Sequence, residues 1–177
     1  MAKLTAAQIK VQTKKILEAI EQGKRRVEGQ KNVNFAALKP KDIERKLKRV
    51  KSPMLIFESW TDQAQPGGTI DYNVTFWNPD PDPWFGLNAQ VWVGSGNVDP
   101  VVGTFLLNVD TRFPRLTEPG WAGVSLNPSS QQQISFVLQV PPGVEKTNYI
   151  GNTCLMQVSS FEAGVYLDRC AWIFTVY

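Results

Sequence analysis

The sequence predicts an antiparallel β-sandwich that follows a basic helical extension. Three observations lead there. The spacing of apolar residues changes from a helical to an alternating pattern at Pro53. Beyond Pro53, seven or eight short alternating segments follow one another, separated by Gly, Pro and Asn clusters and by no helical stretch. The charge divides at the same place: residues 1–51 hold 15 of the 19 Lys and Arg and a net charge of +10, whereas residues 52–177 carry −7. The expected division is therefore a basic helical extension over 1–52 and a sandwich domain over 53–177. At 177 residues and 42% hydrophobic composition, the chain can bury one real core and is too apolar for wholesale disorder.

Residues 5–28 are predicted to be helical. Thr5 stands where an N-cap belongs, and Gln8 completes a capping-box spacing. Ile9, Ile16, Ile20 and Val27 recur at helical intervals with Leu17 beside them, while Gly23 is a weak point and Gly29 a stop. Residues 30–40 read as a linker, because Asn32, Asn34 and Pro40 break any period. A second helix fits 41–51, with Ile43, Leu47 and Val50 on one face. Asp42 and Glu44 lie near its start and Lys48, Arg49 and Lys51 near its end, an order that complements the helix dipole. Ser52-Pro53 ends it, since the residue before proline avoids the helical region.

Strands are expected at 54–60, 69–77, 87–93, 102–109, 133–140, 153–160 and 165–176, with a short one near 121–126. In the clearest of them Ile70, Tyr72, Val74 and Phe76 form one face. Leu87, Ala89, Val91 and Val93 do so in the next, and Ile134, Phe136, Leu138 and Val140 in a third. The segment from Gln65 to Pro83 resembles the second-strand region of bacterial immunoglobulin-like domains of the CARDB type. The resemblance rests on Pro66, Gly67, Ile70, Tyr72, Val74 and Asn78: a Pro-Gly turn, an alternating strand centred on Tyr, and a closing Asn. It implies a mainly β, immunoglobulin-like antiparallel sandwich and a non-catalytic scaffold or adhesion role. A jelly roll is the alternative that the same strand count permits.

Composition narrows the chemistry. The chain has no histidine and two cysteines, which excludes His-based general-base catalysis, His-dependent triads, His-ligated zinc and a Cys-only zinc site. With no phosphate-binding glycine loop either, the expectation is a protein that is not an enzyme and uses no cofactor. Two carboxylates brought together by folding are the route left open. No apolar run approaches the ~18 residues of a membrane-spanning helix. Lys10, Lys14 and Lys15 interrupt any secretory apolar stretch, so a cytoplasmic protein with reduced thiols is expected. A symmetric hairpin centred at Glu162 would set Cys154 opposite Cys170 and permit a disulfide; two small buried hydrophobes are the favoured reading.

Three groups of residues stand out as sites. Asn78, Asp80 and Asp82 alternate with prolines and are weak candidates for a calcium site. A helix–loop–helix calcium site would want Gly after the third ligand and Glu at the twelfth position, where this chain has Pro83 and Ala89, so a stiff loop is favoured. Trp77 and Trp92 fall in phase with the polar residues of their strands, and Trp84 and Phe85 lie in the loop between them. Such a surface asks for a cover: the N-terminal helices, another subunit or a planar sugar. Lys24, Arg25 and Arg26, with Arg45, Lys48 and Arg49, form the basic stretches, and Ile9, Ile16 and Ile20 supply an apolar stripe beside them.

Together these predict a structural subunit whose basic helices dock on an acidic protein surface. The sandwich of a neighbouring copy is the simplest such surface, giving a homo-oligomer or larger assembly. The alternatives are a carbohydrate-binding module using exposed Trp residues and a nucleic-acid-associated or capsid-like protein using the basic arm. A membrane partner is disfavoured, because the apolar face of the first helix lacks Trp and Phe.

Overall fold

A computed structural model of the chain describes residues 3–49, 53–94, 109–118, 124–158 and 164–177. In chain order the elements are α1 (Ala6–Val27), β1 (Val33–Ala37), α2 (Pro40–Arg49), β2 (Met54–Thr61), β3 (Gln63–Ala64), β4 (Thr69–Trp77), β5 (Trp84–Gly94), β6 (Leu116–Glu118), β7 (Val124–Leu126), β8 (Gln131–Gln139), β9 (Asn148–Val158) and β10 (Gly164–Val176). One sheet has the order β1-β2-β4-β8 and the other β3-β10-β9-β5-β6, with β7 also on β5. All pairs are antiparallel except the short β3, which runs parallel to β10. The triplets β2-β4-β8 and β5-β9-β10 follow the immunoglobulin arrangement of strands A, B, E against C, F, G. The expected strand at 102–109 and the hairpin centre at Glu162 lie outside the described residues, apart from Val109, which bridges to Gly94.

The alternation read from the sequence sets the core. Ile70, Tyr72, Val74 and Phe76 of β4 point between the sheets. They meet Leu87, Ala89, Val91 and Val93 of β5, Phe136 and Leu138 of β8, and Trp172 and Phe174 of β10. Tyr72 stacks on Trp172 with ring centroids 4.5 Å apart.

The helices form a third layer on the outer face of the four-stranded sheet. Thr5 caps α1 as the spacing predicts: its Oγ1 accepts the Gln8 N–H at 3.2 Å, and its own N–H donates to Gln8 Oε1 at 2.8 Å. Ile9, Ile16, Ala19 and Ile20 of α1 and Ile43 and Leu47 of α2 bury against Met54, Ile56, Phe57 and Trp77. Gly29 ends α1 in the left-handed region, at φ +80°.

The predicted linker over 30–40 is corrected. It contains β1, which pairs with β2 from Val33 opposite Thr61 to Ala37 opposite Phe57. This edge strand is held by backbone pairing and is exposed along most of its length, so no apolar alternation marks it. Pro40 opens α2 at a position where a missing N–H is no loss. The two-residue β3 and three-residue β6 are too short to carry a period.

Gly23, a weak point for an isolated helix, is what lets α1 approach the sheet. A Cβ there would lie 2.8 Å from the buried Phe57 ring. G23A should therefore destabilise the chain by about 1–3 kcal/mol through overpacking, despite a gain of roughly 1 kcal/mol in helix propensity. Urea denaturation of the two proteins checks this; an unchanged or raised midpoint would show that the helix does not sit against Phe57.

Candidate functional site

Among the described residues a cluster of ionisable groups lies where α2, β2 and β10 meet. Two irregularities create it. The pairing of β2 with β4 shifts between Leu55 and Phe57, and that of β10 with β9 between Tyr166 and Asp168. Asp168 uses one carboxylate oxygen to accept the Leu55 N–H at 2.8 Å and to pair with Lys46 of α2. Deeper in, Glu58 of β2 accepts from the Tyr72 hydroxyl at 2.6 Å and the Cys170 thiol at 3.1 Å. A cavity of about 120 Å³ lies beside them, bounded by Ala37, Leu38, Lys46, Phe57, Glu58 and Cys170.

Burial dominates the electrostatics here. It raises the Glu58 carboxyl above its ordinary value, although the bonds from Tyr72 and Cys170 act the other way. It pushes the Tyr72 hydroxyl and the Cys170 thiol well above theirs; the charge of Glu58 adds in both cases and that of Cys170 adds for Tyr72, while the Tyr72 bond acts the other way on Cys170. A thiol held protonated is a poor nucleophile. The arrangement is a hydrogen-bonded clasp from β2 across to β10. Only one signal for it was present in the sequence: Glu58 is the one charged residue of the mostly apolar run Met54–Trp60.

The shift in β10 also decides the cysteines. Past the shift the register lies one residue off a hairpin centred at Glu162, so that Cys170 faces Thr153 and Cys154 faces Arg169. A one-residue slip reverses the face on which a side chain lies. Cys170 points to Glu58 and Tyr72 inside the sandwich, and Cys154 packs with Trp92 and Met156 on the outside. Both are free, and burial pushes the Cys154 thiol up to about 12.

The aromatic surface expected from Trp77, Trp84, Phe85 and Trp92 is corrected. Trp77 is 5% exposed because α1 covers it, together with Ile9, Ile16 and Ile20. Trp92 is 3% exposed, packed with Cys154, Met156 and Val109, and carries the Arg115 guanidinium 5.6 Å from its ring centroid. Trp84 packs partly against the inter-sheet core. Phe85 alone of the four is open, at 60%. The phase was read correctly for Trp77 and Trp92; the cover is this chain itself.

The Asn78–Asp82 loop is a run of side chains bonded to their own backbone. Asn78 Oδ1 accepts the Asp80 N–H at 2.8 Å, and Asp80 Oδ1 accepts the Asp82 N–H at 3.3 Å. The Asn78 amide donates to the carbonyls of Asp82 and Leu126, both at 3.0 Å. Among the described residues no group of three or more acidic or thiol side chains is close enough to hold a metal ion.

The basic residues are outward. Arg25, Lys48 and Arg49 are exposed. Lys24 pairs with Glu21, Arg45 with Asp42, and Arg26 donates to Gln133 at 2.6 Å.

Glu58 offers a direct test of the clasp. Its folded pKa is raised, so the stability held by the protonated carboxyl is complete below the ordinary value of 4.5 and is lost as pH rises toward the folded value. Urea midpoints of the wild-type chain should fall as pH rises past that point. E58Q keeps an acceptor for Tyr72 and removes the titration, so its midpoints should fall less. Equal slopes would place Glu58 in a solvated setting.

No family model matches the chain, and no curated protein does. Solved structures do. The chain is similar to the C-terminal domain of Wzt, with a TM-score of 0.54 at 9% identity over 84% of this chain and 80% of that one. It is also similar to the CARDB domain of a Pyrococcus furiosus protein, solved with di-metal ions, at a TM-score of 0.42 and 13% identity over 71% and 90%. Spo0M, the sporulation control protein of Bacillus subtilis, matches at a TM-score of 0.45 and 11% identity over 72% and 50%. At such identities the likeness is one of fold, an immunoglobulin-like β-sandwich.

Proposed function

We propose that this chain is a non-enzymatic β-sandwich subunit that docks on an acidic protein surface through the exposed basic face of its α1–α2 layer. The observation that carries this reading is the division of labour on the helices. Their apolar stripes, Ile9–Ile16–Ile20 and Ile43–Leu47, are used up against the chain's own sheet. What they present outward is charge: Lys10, Lys14, Lys15, Arg25, Lys48 and Arg49 are all exposed. Docking therefore draws on electrostatic orientation and not on apolar burial by these stripes.

The sandwich of a second copy offers that face few exposed and uncommitted acids, Asp71 and Asp82 among the described residues. Glu58 and Asp80 are buried, Asp168 is held by Lys46, and Asp110 and Glu145 are both held by Arg112 at 2.7 Å. This favours a separate acidic protein over self-docking. Glu18, Glu21, Asp42 and Glu44 are interspersed among the cations, which suits a protein surface of mixed charge better than a uniform phosphate backbone.

The test uses the full chain, because removing the helices would uncover Ile56, Phe57 and Trp77. Retention is measured on immobilised polyglutamate and on immobilised duplex DNA at two salt concentrations. Wild type should be held by polyglutamate at low salt, and the variant K15E/R25E/K48E/R49E should pass through. Salt-sensitive retention on DNA alone would overturn the reading in favour of nucleic acid.

A further inference from the structure

We propose that the cavity where the chain crosses from β2 to β3 is a binding site for a neutral saccharide. No residue of α1 or α2 lines it, so it is independent of the basic face.

Asp62 stands between β2, which ends at Thr61, and β3, which begins at Gln63, so the chain passes from one sheet to the other there. Its backbone is held on both sides: the N–H donates to the Asn32 carbonyl at 3.0 Å, and the carbonyl accepts the Thr175 N–H at 2.8 Å. β3 pairs with β10 only at Thr175 and Val176. At Ile173 the Trp60 indole takes over, its N–H donating to the Ile173 carbonyl at 2.8 Å, which fixes the ring against β10. The crossing bounds a cavity of about 420 Å³, a size within the range of small-molecule sites.

Two features of the wall define the ligand. The first is an acceptor short of donors. Among the described residues the Asp62 carboxylate receives one side-chain donor, the Asn34 amide at 3.3 Å on Oδ2, and Oδ1 receives none. An ionised carboxylate accepts at both oxygens, so a ligand that fits brings N–H or O–H donors. The second feature is that the rest of the wall is neutral, Asp62 being the one charged group among the lining residues. An anion would meet that charge with no cation beside it. A cation would satisfy Asp62 but, having donors only, would leave the amides of the wall half used. The exposed Gln63 and Asn148 amides both donate and accept. Asn148 Oδ1 already accepts the Thr175 hydroxyl at 2.8 Å, which leaves its NH2 as a donor. Groups that donate and accept match hydroxyls, which do the same. Trp60 and Ile173, the latter 57% exposed, add an apolar wall. A sugar ring, apolar on its C–H face and hydroxylated at its rim, meets both kinds of wall.

The full chain is tested on immobilised neutral oligosaccharides of glucose, mannose, galactose and N-acetylglucosamine. Wild type should be retained by at least one, and the same oligosaccharide free in solution should elute it. D62N keeps an acceptor for Asn34 and sets a donor where the ligand brings donors, so it should weaken retention roughly tenfold or more, the scale of one hydrogen bond to a charged group. Q63A and N148A, at exposed positions, should each weaken it as well, and unchanged urea midpoints would separate lost binding from lost folding. In NMR spectra of the wild type, the eluting oligosaccharide should shift the Trp60 indole N–H and the Gln63 and Asn148 side-chain amides. The helix variant K15E/R25E/K48E/R49E should bind that oligosaccharide as the wild type does, even where it loses polyglutamate retention. No retention on any of the four, or retention that D62N, Q63A and N148A all leave intact, would overturn the proposal. A shift of the Trp60 indole on adding tetramethylammonium, and on adding none of the sugars, would overturn it in favour of a cation.

Discussion

The outer face of the four-stranded sheet is apolar, and it must be covered. Met54, Ile56, Phe57 and Trp77 would otherwise face water on a chain of this size, and exposed apolar patches of that kind are costly. α1 and α2 supply the cover, with Ile16, Ile20 and Ile43 fully buried. Each such side chain contributes roughly 1.5–3 kcal/mol relative to exposure. Most helical stability in proteins comes from packing of this kind. The same requirement explains β1, which extends the covered sheet by one strand and delivers the chain from α1 to α2. It also places the packing across Pro53, so the change of periodicity there marks a change of element and not a break in the core.

The two irregular pairings at the α2 corner are coupled through Asp168. A bulge leaves a backbone group without its ladder partner. The shift in β2 frees the Leu55 N–H, and the shift in β10 presents Asp168 to receive it. Lys46 then balances the carboxylate and ties α2 to the same point. Among the described residues Glu58 pairs with no such cation; it accepts from Tyr72 and Cys170, so burial raises its pKa where a salt bridge would lower it. The corner thus contains one carboxylate paired for charge and one paired only for hydrogen bonds. Both join β2 to β10 and so close the sandwich at the end where the helices attach.

The fold was legible in the sequence wherever one face of an element is buried and the other is not. That holds for the Ile70–Phe76 and Leu87–Val93 alternations, and for the α1 stripe with its Thr5–Gln8 cap. β1 was hidden because an exposed edge strand has no face to pattern, and the residues that look like breakers bound it: Asn32 turns with φ +55°, and Pro40 starts α2. The Trp77 and Trp92 positions show a different limit. Periodicity told correctly that they lie outside the inter-sheet core, but it cannot say which segment of the chain covers them. The cysteine pair shows a third. Spacing alone centred a symmetric hairpin at Glu162, whereas Gly164 pairs with Val158, two residues off that register, and the extra residue at Leu167 recovers only one, an irregularity that nothing in the local sequence announces. The Glu58 clasp depends on contacts 14 and 112 residues apart, a distance at which no motif operates.

The charge pattern follows from the same cover. A helix that spends its apolar stripe on its own sheet must present its remaining faces to water, and here those faces are rich in Lys and Arg. The acids of the sandwich are treated differently. Some are drawn inside, as Glu58 and Asp80 are; others are held by a neighbouring cation, as Asp110, Glu145 and Asp168 are. The −7 of the sandwich is what remains after its own four cations are counted, and among its described acids Asp71 and Asp82 stay exposed, while the helical layer keeps its positive face. Between Glu118 and Glu145 the chain carries no charge at all, and β8 within that neutral stretch joins β4 in the sheet the helices cover. One sheet thus carries a cationic layer on its face and a neutral, hydrogen-bonding strand at its rim.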